Sequence, residues 1–231
     1  MVLLIENTVT YLSLKFQRWD TSEKIYDFNW SKLTKDERAV FEALPKDYQT
    51  FLKENNGGMV VDEEKCYFKT DLVRKFDDGR VYEGSSNGVE EFWGFLSYEN
   101  EEPGEDFEYP MSILHQHYDR HLEEEFLPSN VIVIGRCIQN CLIAISLNKH
   151  DFGAVYYWEW YWQYPWFEEY FQTRIKQASE PFENVGKILE NPDHPKYQKA
   201  FDALNYATWV EVAPSFTDFV DGLYETNDED D

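Results

Sequence analysis

Leu44-Pro45-Lys46-Asp47-Tyr48-Gln49-Thr50-Phe51-Leu52-Lys53-Glu54-Asn55-Asn56-Gly57-Gly58 is the stretch from which the fold can be worked outward. Pro45 suits the first helical position, where its fixed φ fits and its missing N–H is not needed. Tyr48, Phe51 and Leu52 then fall at the i, i+3, i+4 spacing that gathers apolar side chains on one helix face. Asn55-Asn56-Gly57-Gly58 supplies residues that tolerate positive φ, so the helix ends there. Upstream, Thr34-x-x-Glu37 has the form of a capping box and opens a short helix through Arg38, Ala39, Val40 and Phe41.

Downstream, short β-like runs occur at residues 59–61, 66–69 and 92–97, separated by turns such as Asp77-Asp78-Gly79, and suggest an antiparallel meander. Residues 98–109 read as a loop around Pro103-Gly104. It carries Glu99, Glu101, Glu102, Glu105, Asp106 and Glu108 and no base. Residues 111–126 read as a helix with Ile113, His117, Tyr118, His121 and Leu122 on one side, stopped by Pro128. Val131-Ile132-Val133-Ile134 and residues 141–147 are continuous apolar runs, expected as central strands buried on both faces, and a third strand starts at Val155. After Gln177 the chain turns polar, with Pro181, Pro192 and Pro195, and residues 178–212 are expected as a long excursion from the core. Ser215 caps a closing amphipathic helix to Tyr224 that uses Phe216, Phe219, Val220 and Leu223.

With 231 residues, 42% of them hydrophobic, the chain can build a real core. The expected organisation is one domain over residues 1–224 with an N-terminal helical extension, then an acidic disordered tail at 225–231. Against 21 Lys and Arg stand 45 Asp and Glu, a formal charge of −24. Phosphate contacts need a basic stripe, so nucleic-acid binding is excluded as a function class, and an anionic membrane surface would repel the chain. Such a field attracts cations, either a metal or a basic protein. The 18% aromatic content is too high for a disordered acidic chain. Cys66, Cys137 and Cys141 are an odd number without the spacing of a disulfide scaffold, which points to a reducing compartment. Met1 to Glu6 lacks a basic n-region and residues 131–147 are interrupted by Arg136, Gln139 and Asn140, so neither a signal peptide nor a membrane span is expected. The expected location is cytoplasmic.

The order of these segments resembles the SUKH superfamily, the group of bacterial toxin-immunity proteins related to fungal cell-wall regulators. Leu44-Pro45-Lys46-Asp47-Tyr48, Phe51-Leu52 and Asn56-Gly57-Gly58 look like its signature. Phe92-Trp93-Gly94-Phe95 is similar to its aromatic strand, Leu127-Pro128 to Ile134-Gly135 to its proline-led strand, Gly153 to Trp158 to its Val-Tyr-x-Trp-like strand, and Ala213 to Leu223 to its closing helix. The likeness covers roughly residues 30 to 224, and its specificity lies in the order of short motifs. Departures are Arg136-Cys137-Ile138-Gln139-Asn140, where many members have an acidic, Gly-rich turn, and the long stretch 178–212. The resemblance implies an α+β fold with a central, largely antiparallel β-sheet flanked by helices, a binding surface that varies between members, and no shared catalytic residues.

Among candidate chemical sites, His115-x-His117-x-Asp119-x-His121 offers metal-ligating groups. On a helix only His117 and His121 share a face at i, i+4, and His115 and Asp119 are rotated away, so no metal site is expected. Cys137-x-x-x-Cys141 has the wrong spacing for a zinc knuckle and is better placed for packing and turn roles. No nucleophile elbow, Walker loop or dinucleotide fingerprint occurs, so the chain is expected to be neither an enzyme nor cofactor-dependent. The run Tyr156 to Phe167 is dense in rings, and a strand alternates faces. Val155 and Tyr157 point one way and Tyr156, Trp158 and Trp160 the other, with rings near Trp160 to Trp166 reaching the rim unless residues 178–212 cover them.

The expected function is that of a non-enzymatic immunity protein, of the kind found in contact-dependent inhibition, binding one cognate basic toxin domain such as a nuclease. Glu99, Glu101, Glu102, Glu105 and Asp106 would steer the encounter, and Trp160, Trp162 and Trp166 would anchor the complex. The free protein is expected as a monomer or weak dimer. The alternatives are a regulatory protein-interaction scaffold and a carbohydrate-binding protein using the Tyr/Trp-rich strip.

Overall fold

The computed structural model describes residues 8–11, 14–17, 30–60, 66–70, 88–98, 113–114, 128, 130–137, 141–158, 188 and 191–225. After a 3-10 turn at Trp30–Lys32, helix α1 spans Lys35–Ala43. Its capping box is complete: Glu37 N–H donates to Thr34 Oγ1 at 3.2 Å, and Thr34 N–H donates back to Glu37 Oε2 at 2.7 Å. Helix α2 spans Lys46–Asn55 and buries Tyr48, Phe51 and Leu52, as their spacing predicts. Pro45 lies one position earlier than expected. Its ψ of 147° keeps it outside the helix as the N-cap, from which its carbonyl accepts the first helical bond from Gln49 N–H at 2.9 Å.

The end of α2 explains the Asn-Gly-Gly run. Asn56 is left-handed at φ 50° and its N–H donates to Leu52 O at 2.8 Å, while its side-chain oxygen accepts from Tyr98 N–H at 2.8 Å. Gly57 follows at φ 80°, and a Cβ there would stand 2.5 Å from Leu96 O. No side chain fits, because the turn passes directly against the backbone of the sheet.

All pairings among the described strands are antiparallel. Strands β1 (Thr8–Tyr11) and β2 (Leu14–Gln17) form a hairpin whose second strand pairs with β3 (Gly58–Val60). The described residues 8–11 and 14–17 are therefore strands where a helical extension is expected; Thr8, Val9, Thr10 and Tyr11 are β-branched or aromatic and suit a pleated surface. Strand β4 (Cys66–Lys69) pairs with β5 (Val89–Phe95), but β3 does not pair with β4. Instead, β3 takes Gly94 and Phe95 while β4 takes residues from Val89 to Phe92, so the two divide one edge of β5 and the meander is interrupted.

Across the other edge of β5 come β6 (Val131–Cys137), β7 (Leu142–Ser146) and β8 (Val155–Trp158). Every residue of these three strands is buried, as the continuous apolar runs of β6 and β7 predict for central strands. The sequence predicts a long excursion from the core at residues 178–212. The structure corrects this, since helix α3 (Tyr197–Thr208) leads into β9 (Trp209–Ala213), which pairs along β8. Helix α4 (Phe216–Asp221) is capped by Ser215, whose hydroxyl accepts from Asp218 N–H at 3.1 Å. It stops short of Tyr224, and Tyr224–Glu225 forms β10 against β4.

Two helices close one face of the sheet. Phe51 and Tyr48 of α2 meet Phe216 of α4 at ring separations of 5.1 and 4.7 Å, and Phe51 meets Phe95 of β5 at 4.9 Å. Phe219 of α4 lies 5.6 Å from both Phe68 and Phe92. Asp47 ties the helix starts together: its Oδ2 accepts from Thr217 N–H at 3.1 Å and from the Thr217 hydroxyl at 3.2 Å. At Gly135 a Cβ would press within 2.9 Å of Gly94 O and 3.0 Å of the Phe92 ring, so a bare backbone lets that ring lie on the sheet. The turn at Asp77-Asp78-Gly79, most of the expected helix at 111–126 and the tail after Glu225 lie outside the described residues, although Ile113 and Leu114 are helical and buried.

Candidate partner-binding surface

Burial along β4 and β5 alternates, which separates two faces. Cys66, Phe68, Glu90 and Phe92 are buried, whereas Tyr67, Lys69, Val89, Glu91 and Trp93 are half-buried or exposed. Phe68 and Phe92 pack on α4, so the second set lies on the opposite face. Double-sided burial holds through β6, β7 and β8 and gives way at β5.

On that open face the register sets Tyr224, Tyr67 and Glu91 in one row across β10, β4 and β5. The rings of Tyr67 and Tyr224 are 6.2 Å apart, and Lys69 Nζ stands 5.9 Å from the Tyr224 ring centre, within reach of a cation–π contact. Partial burial raises the Tyr224 phenol above its ordinary value, and Tyr67 adds to this, so the phenol stays neutral at physiological pH. At the far end of the row Trp93 is 41% exposed, and its indole N–H donates to Glu91 Oε1 at 3.3 Å. Only Phe152, on the β7–β8 turn, is a more exposed large apolar side chain among the described residues. An exposed indole held by a carboxylate on a central strand is chemistry for binding, because Trp is enriched at interface hot spots.

Glu99, Glu101, Glu102, Glu105, Asp106, Trp160, Trp162 and Trp166 all lie outside the described residues, as do His115, His117, Asp119 and His121. What the structure does place is the start of the aromatic strip. Val155, Tyr156, Tyr157 and Trp158 are buried, Tyr157 against Phe68 at 5.4 Å on the α4 face and Trp158 stacked with Trp209 of β9 at 6.0 Å. Within residues 178–212, β9 pairs along the edge of β8 and sets Trp209 beside Trp158, and the rings from Trp160 to Trp166 lie outside the described residues. Sequence reasoning missed Tyr67, Glu91, Trp93 and Tyr224 as a surface. The signal was available in the alternation Cys66-Tyr67-Phe68-Lys69 and Glu90-Glu91-Phe92-Trp93, where Lys69 and Glu91 mark the phase that faces outward.

Cys66, Cys137 and Cys141 are buried thiols. Burial pushes the Cys137 thiol well above its ordinary value, Cys141 and Glu90 push the same way, and Arg136 opposes them. A thiol held neutral is a poor nucleophile and a poor metal ligand. Among the described residues no group of three His, Cys, Asp or Glu side chains could hold a metal ion. No helix among them is long and apolar enough to cross a membrane.

A family model for the SMI1 / KNR4 family (SUKH-1) matches residues 37–173, more than half of the chain. The chain belongs to the SUKH-1 family. The matched span opens in α1 and runs past β8, taking in the α2 signature, the split edge of β5 and the buried strands. SUKH proteins are generally non-enzymatic immunity or regulatory proteins that bind partner proteins, and an α+β architecture with an antiparallel sheet is what this SUKH-1 chain displays. Comparison with curated proteins and with solved structures gave no match.

Proposed function

We propose that this SUKH-1 chain is a cytoplasmic, non-enzymatic immunity protein that binds and neutralises one cognate toxin domain of basic character, such as a nuclease. The observation that carries the reading is family membership joined to a formal charge of −24. SUKH membership fits an immunity or an SMI1/KNR4-like regulatory role, and the charge supports the first. A strongly acidic surface accelerates encounter with a basic target and opposes nucleic acid, the substrate such a toxin would otherwise grip. In this reading Glu99, Glu101, Glu102, Glu105 and Asp106 take the place of phosphate charge, and Trp160, Trp162 and Trp166 supply desolvated anchors.

Capture on the tagged chain from its native cells, washed at low and then high salt, tests the reading when the retained proteins are identified by mass spectrometry. One basic protein whose toxicity this chain abolishes supports immunity. Several non-toxic partners would replace it with the regulatory scaffold, and saturable glycan binding that survives high salt would replace it with a sugar-binding role.

A further inference from the structure

The open face of β4, β5 and β10 carries features that neither the fold nor the acidic loop explains. Trp93 is 41% exposed although the rings beside it on β5, Phe92 and Phe95, are buried, and its indole is fixed by Glu91 at 3.3 Å. Trp93 lies where the register of β5 against β6 shifts between Phe92 and Gly94, and its bond to Glu91 two residues earlier on the strand sets the two side chains beside each other. At the other end of the row, Lys69 Nζ already stands 5.9 Å from the Tyr224 ring centre. The surface thus holds one cation from its own chain against one ring and presents a second ring beside a carboxylate.

We propose that Trp93 and Glu91 form a receptor for an arginine side chain of a basic partner protein. The deduction rests on the immunity reading for the identity of the partner and on this geometry for the chemistry of the contact. A planar guanidinium stacks flat on an indole while the N–H donors at its rim stay free for a carboxylate beside the ring, whereas a compact ammonium has no flat face to stack. Charge complementarity selects the occupant: on a chain of net charge −24, an acidic segment or a phosphate is repelled and a cation is drawn in. Lys69 does not compete, because it occupies the Tyr224 end of the row.

The test uses the full chain and two probes of equal charge, a tetra-arginine and a tetra-lysine peptide, with the indole N–H of Trp93 followed by NMR and assigned from its loss in Trp93→Phe. Tetra-arginine shifts the Trp93 signal and binds more tightly than tetra-lysine at physiological salt. Trp93→Ala weakens tetra-arginine by about three- to thirtyfold and abolishes the preference over lysine. Glu91→Gln moves the preference in the same direction with the ring intact. Both sites are on the surface, and a thermal melt confirms that each variant folds. Binding of tetra-arginine without a Trp93 shift, or an arginine preference unchanged in Trp93→Ala, overturns the proposal. So does a Trp93 signal that instead follows protein concentration, as a second copy would produce, or responds only to a chito- or malto-oligosaccharide. If a toxin is neutralised equally by wild type and Trp93→Ala, the receptor fails while the immunity reading stands; if no toxin is found, the peptide titration still decides the receptor.

Discussion

At Gly57 the physical reason for a glycine is twofold: φ is 80°, and a Cβ would lie 2.5 Å from Leu96 O. Gly153 has a similar φ of 91°, but a Cβ there would meet only Pro45 Cγ at 3.6 Å, an ordinary contact. Gly57→Ala is therefore expected to lose about 3 kcal/mol or more and Gly153→Ala about 1–2 kcal/mol, measured as urea-denaturation differences. Asp47 is a second decisive residue, since its two bonds to Thr217 join α2 to α4 across 170 positions of sequence. Asp47→Ala should cost about 1–2 kcal/mol in the same measurement. Burial also sets a pH dependence. The Cys137 thiol and the Tyr48 phenol are raised above 9.0 and 10.0, the phenol first by burial and then by Tyr98. Each is neutral in the folded state while its unfolded counterpart ionises. Stability is then fully present below the ordinary values and falls as pH climbs through them toward the raised ones, by up to about 1.4 kcal/mol per pH unit for each group. Urea midpoints should drop between pH 8 and pH 10.5, and thiol reagents should label the native protein far more slowly than the unfolded chain.

Elements were legible in the sequence wherever short-range rules operate alone. The Thr34 capping box, the buried stripe of α2, the apolar runs of β6 and β7 and the Ser215 cap depend on neighbours within about one turn or one strand. Thr34→Ala is expected to cost about 1 kcal/mol, seen in thermal unfolding and as faster amide exchange in the first turn of α1. What short-range rules left hidden was set by partners far away in sequence. β9 is polar enough at Glu211 to read as excursion, and it becomes a strand because β8 offers a free edge and Trp158 a stacking face for Trp209. β10 is only two residues long and exists because β4 lies beside it. Trp209→Ala should therefore destabilise the protein by about 3–5 kcal/mol, a loss that a merely peripheral excursion would not produce.

For the whole molecule, charge and sheet architecture carry the account together. Self-repulsion at −24 predicts that the thermal midpoint rises when salt is raised from about 0.01 M to 0.15 M, as the Debye length shortens from about 30 to 8 Å. The same screening should slow association with a basic partner while leaving the contact of a ring with a cation largely intact. Composition alone made the acidic charge legible, and the class of partner proposed for it follows from that charge. The open face of β4, β5 and β10 was not, because it requires knowing that β3 and β4 divide one edge of β5 and that β10 returns from the far end of the chain. The most direct measurement is the growth of cells expressing the captured basic domain alone and together with this chain. The account predicts arrest in the first case and growth restored in the second, through a one-to-one complex whose association rate falls with salt. A captured partner that is harmless alone, or a toxic one that still arrests growth beside an excess of this chain, would contradict it.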